Sequence, residues 1–369
     1  MTTLPAGPAA TLEDARELLW SAVRGGDEHG ASAVVFDVLD SGVDPESILL
    51  DLVAPVQARV GTEWAANRLT VAQEHSATAI HERVIAALAH HTGYRTGHPA
   101  GPGGSRVTVA CVDGEWHALP ARLLSEVLRL RGWQVDFLGA HVPTAHLIAH
   151  LHQTGAQAVA LSSSIPTHLP TAHTAITACQ ATGVPVIVGG AAFGPDGAYA
   201  RALGADAWAP DARAAAAALE AGLARPVAPA PHQPVDDLPH LADQEYTLVV
   251  RTSRQLVKQT LTDLEDRFTP MRGYTERQRR HTAEDLAHIV DYLATALYVA
   301  DEGLFTRFIL WTADILAARR VPPSGLDPAL DLLAGQLKDF PRACALLAAA
   351  RKALRTHTAP DVPGPGKPA

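Results

Sequence analysis

The chain has few of the features that would place it outside a reducing, aqueous compartment. Its three cysteines, Cys111, Cys179 and Cys344, stand far apart among 369 residues. Neither a disulfide framework nor a CxxC metal site follows from that spacing, and a reducing cytoplasm is the compartment it suits. No apolar run approaches the ~20 residues needed to span a bilayer. Met1 to Leu12 lacks the basic start and apolar core of a secretory signal. There is no basic run either, and the net charge is −9. Direct binding to DNA or to an anionic membrane is therefore not expected. Lysine is scarce and alanine abundant, so helix propensity discriminates poorly along this chain.

Turn and breaker residues gather in two places. Gly93 to Ser105 reads GYRTGHPAGPGGS, and Pro226 to Pro239 reads PVAPAPHQPVDDLP. Both read as linkers, and the Pro/Gly-rich tail after Thr358 reads as disordered. Three blocks result. Residues 11–92 have helical periodicity, with Leu12, Ala15, Leu18, Leu19 and Val23 on one face. Thr70 with Gln73 forms a capping-box pattern ahead of a helix from Val71 to His91. This block predicts a four-helix-type bundle. Residues 106–223 alternate short apolar strands with helix-length segments. The strands are Val107–Val112, Gln134–Leu138, Ala158–Ser162, Val184–Val188 and Ala207–Trp208. That alternation predicts a parallel sheet covered on both faces. Residues 241–357 return to helices, at Tyr246–Asp266, Thr275–Ala300, Glu302–Ala318 and Pro328–Arg355. The fold class is multidomain α and α/β.

In a sheet of this class ligands bind beyond the carboxyl ends of the strands. The first such loop carries Asp113, Gly114, Glu115, Trp116 and His117. A histidine there can approach a metal axially, with Glu115 or Asp113 orienting its other ring nitrogen. Taken alone it reads equally well as an exposed histidine in a chain with 18 of them. Two later loops add weight. Leu161 is followed by Ser162, Ser163 and Ser164, and Val188 by Gly189 and Gly190. Small residues there leave a slot beside the sheet, and the serines offer donors to polar groups in it.

The order Glu-x-His, Gly132-Trp133, Phe137-Leu138-Gly139, Pro143, the serine run and the glycine pair resembles the B12-binding domain of cobalamin-dependent methyltransferases, mutases and light-sensing regulators. The resemblance covers about 107–210. It implies a flavodoxin-like Rossmann domain with His117 as the lower axial ligand of cobalt. One departure is Pro120, where the D/E-x-H-x-x-G pattern has glycine. In the first block, Trp64 lies ten residues before Glu74, with His75 directly after. This resembles the W-x9-E-H motif of the light-sensing B12 regulators, which implies contact between Trp64, Glu74 and an upper axial adenosyl group. Without the second block the same residues read as a core tryptophan and a first-turn glutamate. Some regulators carry a histidine after that tryptophan, whereas this chain has Ala65.

In the third block, His281, Asp285, His288 and Tyr292 fall on one narrow helical stripe at about 100° per residue. Arg277, Arg279 and Arg280 precede it, and Phe308 and Trp311 lie on the next helix. The stripe reads either as a solvated face or as the lining of a pocket for a flat, polar-edged ligand. Cys344 reads as a buried helix cysteine, with a covalent thioether as the alternative. The domain order resembles the photocobilins, which implies adenosylcobalamin in the second block and biliverdin in a globin-like all-α third block. The expectation is a cytoplasmic, non-enzymatic photoreceptor, a dark homo-oligomer (dimer or tetramer) that signals to another protein. A corrinoid protein of a methyltransferase system is the alternative, and a B12 store or chaperone a third reading.

Overall fold

The computed structural model describes residues 11–91, 105–225 and 234–357. The residues before Thr11, most of both linkers and the tail after Thr358 lie outside the described residues. The chain divides into two compact units, Met1–Pro231 and His232–Ala369.

The first unit opens with the helices α1 (Leu12–Gly25), α2 (Glu28–Asp40), α3 (Pro45–Ser47), α4 (Ala54–Ala65) and α5 (Val71–His90). The capping box read from Thr70 and Gln73 is formed. Gln73 N–H donates to Thr70 Oγ1 at 3.2 Å, and Thr70 N–H donates to Gln73 Oε1 at 3.0 Å. Ahead of α4, Ile48–Val53 is a π-helical turn, where an unbroken α-helical pattern is expected. Pro55 explains this, because it has no N–H for the carbonyl of Asp51. Arg16 Nε donates to that carbonyl instead, at 2.6 Å.

The sheet layer follows as β1 (Arg106–Cys111), α6 (Leu119–Leu130), β2 (Gln134–Gly139), α7 (Thr144–Thr154), β3 (Ala158–Ser162), α8 (Leu169–Ala181), β4 (Val186–Gly189), α9 (Ala198–Ala202), β5 (Ala207–Ala209) and α10 (Ala212–Ala221). The strands pair in parallel in the order β2-β1-β3-β4-β5. This is the flavodoxin-like arrangement. β4 starts two residues later than its apolar run, because Pro185 has no N–H for the ladder.

The bundle and the sheet share one continuous hydrophobic core. It runs from Leu19, Leu52 and Ile80 to Val107, Leu128 and Ala216. Two bidentate ion pairs join the layers. Arg131 holds Glu46 at 2.9 and 3.0 Å, and Arg213 holds Asp51 at 2.7 and 3.0 Å.

The second unit is all helical: α11 (Glu245–Arg267), α12 (Glu276–Val299), α13 (Glu302–Ala318), α14 (Leu326–Gln336) and α15 (Pro341–Thr356). The single helix expected over Pro328–Arg355 is two. Pro341 cannot donate to the carbonyl of Leu337, so the helix stops there and restarts with proline in its first turn. Phe340 N–H, at 2.9 Å, and Cys344 Sγ, at 3.1 Å, donate to that carbonyl. Cys344 is thus half-buried at a helix break. Among the described residues no helix is long and apolar enough to cross a membrane.

Candidate functional site

The strand order reverses between β1 and β3, so the loops after these two strands face each other across the switch point. Glu115 lies between them with no exposed surface. Its Oε1 accepts from His117 N–H at 2.9 Å and lies 2.6 Å from His117 Nδ1. Its Oε2 accepts from Ser164 N–H at 2.6 Å, Ile165 N–H at 3.1 Å and Ser163 Oγ at 3.2 Å. Burial alone would raise this carboxyl. The bonds from His117, Ser164 and Ile165 outweigh it and hold the group down to about 2.

The carboxylate fixes His117. With Nδ1 donating to Glu115, the other nitrogen, Nε2, is left to act as a ligand, and the ring is 59% exposed. The hydrogen bond to Glu115 raises the imidazole pKa against a smaller opposing effect of burial. Of the two candidate partners, Glu115 is the one used. Asp113 Oδ1 instead lies 3.2 Å from Nδ1 of His141.

Beside this loop is a cavity of about 120 Å³ between α6 and the ends of β3, β4 and β5. Pro120, Ala121, Ser162, Gly189, Gly190 and Ala209 line it. Pro120 is in the first turn of α6, where proline is tolerated. Gly190 has a φ of +98°, and a Cβ there would lie 2.3 Å from the carbonyl oxygen of Ser163. Any other residue at that position would push these two loops apart. The serines divide their work differently from expectation. Ser162 lines the slot, whereas Ser163 is buried and its hydroxyl is spent on Glu115.

On the bundle side, Trp64 is in the last turn of α4 and Glu74 in the first turn of α5. Trp64 is half-buried against the core. Glu74 is close enough for its charge to raise the pKa of His117, so this end of the bundle faces the β1–α6 loop. Glu74 Oε2 lies 2.6 Å from Nδ1 of the exposed His75.

These features fit a corrinoid. A lone imidazole with a free Nε2 suits a metal whose equatorial positions a macrocycle already fills, and a slot with a glycine rim lies next to it. The described residues assemble no group of three or more His, Cys, Asp or Glu side chains around a bare ion. Two families described as B12 binding domains match this unit, one over residues 105–220 and the other over residues 15–89. The unit binds cobalamin.

This cobalamin-binding unit is similar to two curated proteins of Myxococcus xanthus. The HTH-type transcriptional repressor CarA is 31% identical over 192 residues, covering 51% of this chain and 62% of that one. The repressor CarH is 31% identical over 184 residues, covering 48% and 58%. The chain spans about three-fifths of the length of these relatives. Among solved structures, the monomethylamine corrinoid protein of Methanosarcina barkeri is 19% identical, with a TM-score of 0.46, over 56% of this chain and 97% of that one.

Sequence reasoning missed two histidines around the cobalamin-binding loop. His141, after β2, has a φ of +51°. Its N–H donates to the carbonyl of Glu115 at 2.9 Å, and its ring stacks on Trp116 at 4.8 Å. Trp116 is itself 70% exposed. His168 packs over Gly114, where a Cβ would come within 3.1 Å of its ring. Each follows a strand directly paired with β1, His141 after β2 and His168 after β3, and that position was the available signal.

In the second unit the predicted stripe exists on α12. Leu286, Ile289, Leu293 and Leu297 are buried beside it. His281 and His288 are exposed, as are Arg277 and Arg280. Tyr292 stacks on Phe308 at 3.6 Å, and Phe308 lies 6.2 Å from the exposed Trp311. Arg279 is already paired with Glu265. Asp285 lines a cavity of about 60 Å³, and burial raises its carboxyl pKa.

Proposed function

We propose that this chain is a photoreceptor that holds adenosylcobalamin, with His117 as lower axial ligand and Trp64 and Glu74 at the upper face. The proximity of Glu74 to His117 carries this reading, because it brings a carboxylate of the bundle toward the side chain proposed to hold the cobalt. When bound, adenosylcobalamin supplies a cobalt–carbon bond that light can cleave. The chain's own residues supply the rest. Glu115 keeps the His117 proton on Nδ1 and Nε2 available. The rim of the slot, with Ser162, Gly189 and Gly190, receives the nucleotide tail. Trp64 covers an apolar face, and Glu74 accepts hydrogen bonds from ribose hydroxyls.

Losing the adenosyl group would remove a packing partner of Trp64 and shift the bundle against the sheet. The output in this proposal is a change in assembly of a cytoplasmic homo-oligomer, read by a protein partner, with no enzymatic step and no direct DNA contact. Trp64 in this proposed position would also narrow the upper face, which the methyl-shuttling alternative needs open.

The second unit is the proposed bilin site. Support comes from the exposed Trp311 and the half-buried Tyr292, which stacks on the buried Phe308, and from the exposed guanidinium groups of Arg277 and Arg280 as partners for propionates. The 60 Å³ cavity beside Asp285 is far below the few hundred Å³ typical of ligand pockets. Biliverdin does not fit in it and would use the open side of the stripe.

The test is a visible spectrum of the full chain with adenosylcobalamin, before and after green light. A lasting spectral change is expected, and an unchanged spectrum overturns the photoreceptor reading. His117→Ala should alter the dark spectrum or weaken binding, and no change removes the axial assignment. Added biliverdin should give a shifted far-red band that is lost in a chain ending before the second unit.

A further inference from the structure

The bundle buries a histidine that the site described above does not use. His81 on α5 has no exposed surface, and its Nε2 has no hydrogen-bond partner. Leaving a polar atom buried and unpaired costs stability, and an apolar residue of similar size would avoid that cost. What His81 does instead is hold Gln57 on α4. Its Nδ1 lies 2.6 Å from Gln57 Oε1. Gln57 Nε2 donates to Thr78 Oγ1 at 2.8 Å, and Thr78 Oγ1 donates to Glu74 Oε1 at 3.0 Å.

The direction of this chain is set by its end. Glu74, as a carboxylate, can only accept, so the single Thr78 hydroxyl hydrogen must go to it. Thr78 Oγ1 must then accept from the Gln57 amide nitrogen, which turns Gln57 Oε1 toward His81. That oxygen requires a proton on His81 Nδ1. Reversing any member would set two acceptors against each other. Burial pushes the His81 pKa down to about 4, so the ring is neutral at pH 7 and the Nδ1–H tautomer is its one compatible form.

We infer that His81, Gln57 and Thr78 are positioning residues, a one-way hydrogen-bond chain that locks the Glu74 carboxylate and thereby sets the preference for the upper axial ligand of cobalt. This rests on the reading that Glu74 faces that ligand. A locked carboxylate rewards a ligand carrying hydroxyl donors at a defined place and gives nothing to a methyl group.

The experiment compares dark affinities of the full chain for adenosylcobalamin and methylcobalamin. In Thr78→Val and Gln57→Leu, adenosylcobalamin should bind about tenfold more weakly, the effect of one lost charge-assisted hydrogen bond. Methylcobalamin should stay within about twofold, which also reports that the variant is folded, and Thr78→Ser should recover the preference. Equal weakening of both ligands, or none, overturns the inference. Glu74→Ala separates the two levels. If it also leaves the ratio unchanged, the reading of Glu74 fails and takes the inference with it. If it lowers the ratio while Thr78→Val does not, only the chain fails. Ring-nitrogen NMR of the cobalamin-free protein gives a second readout. His81, assigned by its loss in His81→Gln, should carry its proton on Nδ1, and a proton on Nε2 overturns the direction of the chain.

Discussion

Glu115 in the cobalamin-binding unit and Asp285 in the all-α unit are carboxylates at comparable places, each beside a cavity and each near histidines. Their surroundings treat them in opposite ways. Glu115 is completely buried, yet two side chains and three backbone N–H groups hold it ionised near 2. Asp285 is pushed up by burial, and His288, His281 and Arg319 offset that only in part. The first carboxylate is a finished anion site that orients one imidazole. The second is a strained group on a stripe whose histidines are exposed. Preorganisation comes from donors supplied by the backbone of a distant segment. Glu115 has them from the β3–α8 loop, and in the all-α unit Glu245 has them from Arg342 and Ala343 at the start of α15, whereas among the described residues no backbone N–H donates to Asp285.

The largest consequence concerns Glu115→Leu. It strands three N–H groups and a buried serine hydroxyl, so it should cost about 4 kcal/mol in urea unfolding of the cobalamin-free chain. A cost under about 1 kcal/mol would put the two carboxylates in the same class.

Acid titration separates them further. A histidine whose folded pKa is lowered contributes stability above its unfolded value and loses it as pH falls. For His81 that window runs from 6.5 down to about 4, and the loss should reach about 3 kcal/mol. His81→Gln should flatten this limb. Glu115 has a folded value of about 2 against 4.5, so its contribution is present above pH 4.5 and disappears only below it. Asp285 has the reverse sign, since its raised pKa means that protonation relieves a strain. Asp285→Asn should therefore change stability at pH 7 by no more than about 0.5 kcal/mol, or raise it. A clear loss in chemical denaturation would mean that the second unit holds its carboxylate as firmly as the first.

Much of the fold was legible because its signals are local. Alternating apolar runs gave five strands, and the Thr70–Gln73 capping box gave the start of α5. Prolines were the informative misreadings. Pro55, Pro185 and Pro341 each displaced an element boundary by withholding one N–H, and in the first and last case a distant side chain, Arg16 or Cys344, took the orphaned carbonyl. Such a replacement has no sequence signature, because the residues are 35 and 7 positions from the carbonyl they serve. The serine run was read for its hydroxyls. At Ser164 the structure uses the backbone N–H and at Ser163 it turns the hydroxyl inward.

The sequence by itself determined the parallel α/β unit, the placement of His117 in the first strand-to-helix loop, and the small residues that leave room beside it. These depend on hydrophobic period and side-chain size, which each residue carries alone. Only the tertiary structure decided that Glu115 and not Asp113 orients His117, that His141 and His168 brace that loop, and that a buried chain from His81 ends on Glu74. Those choices depend on which lone pair meets which hydrogen across loops far apart in the chain, and only a closed fold brings them within bonding distance.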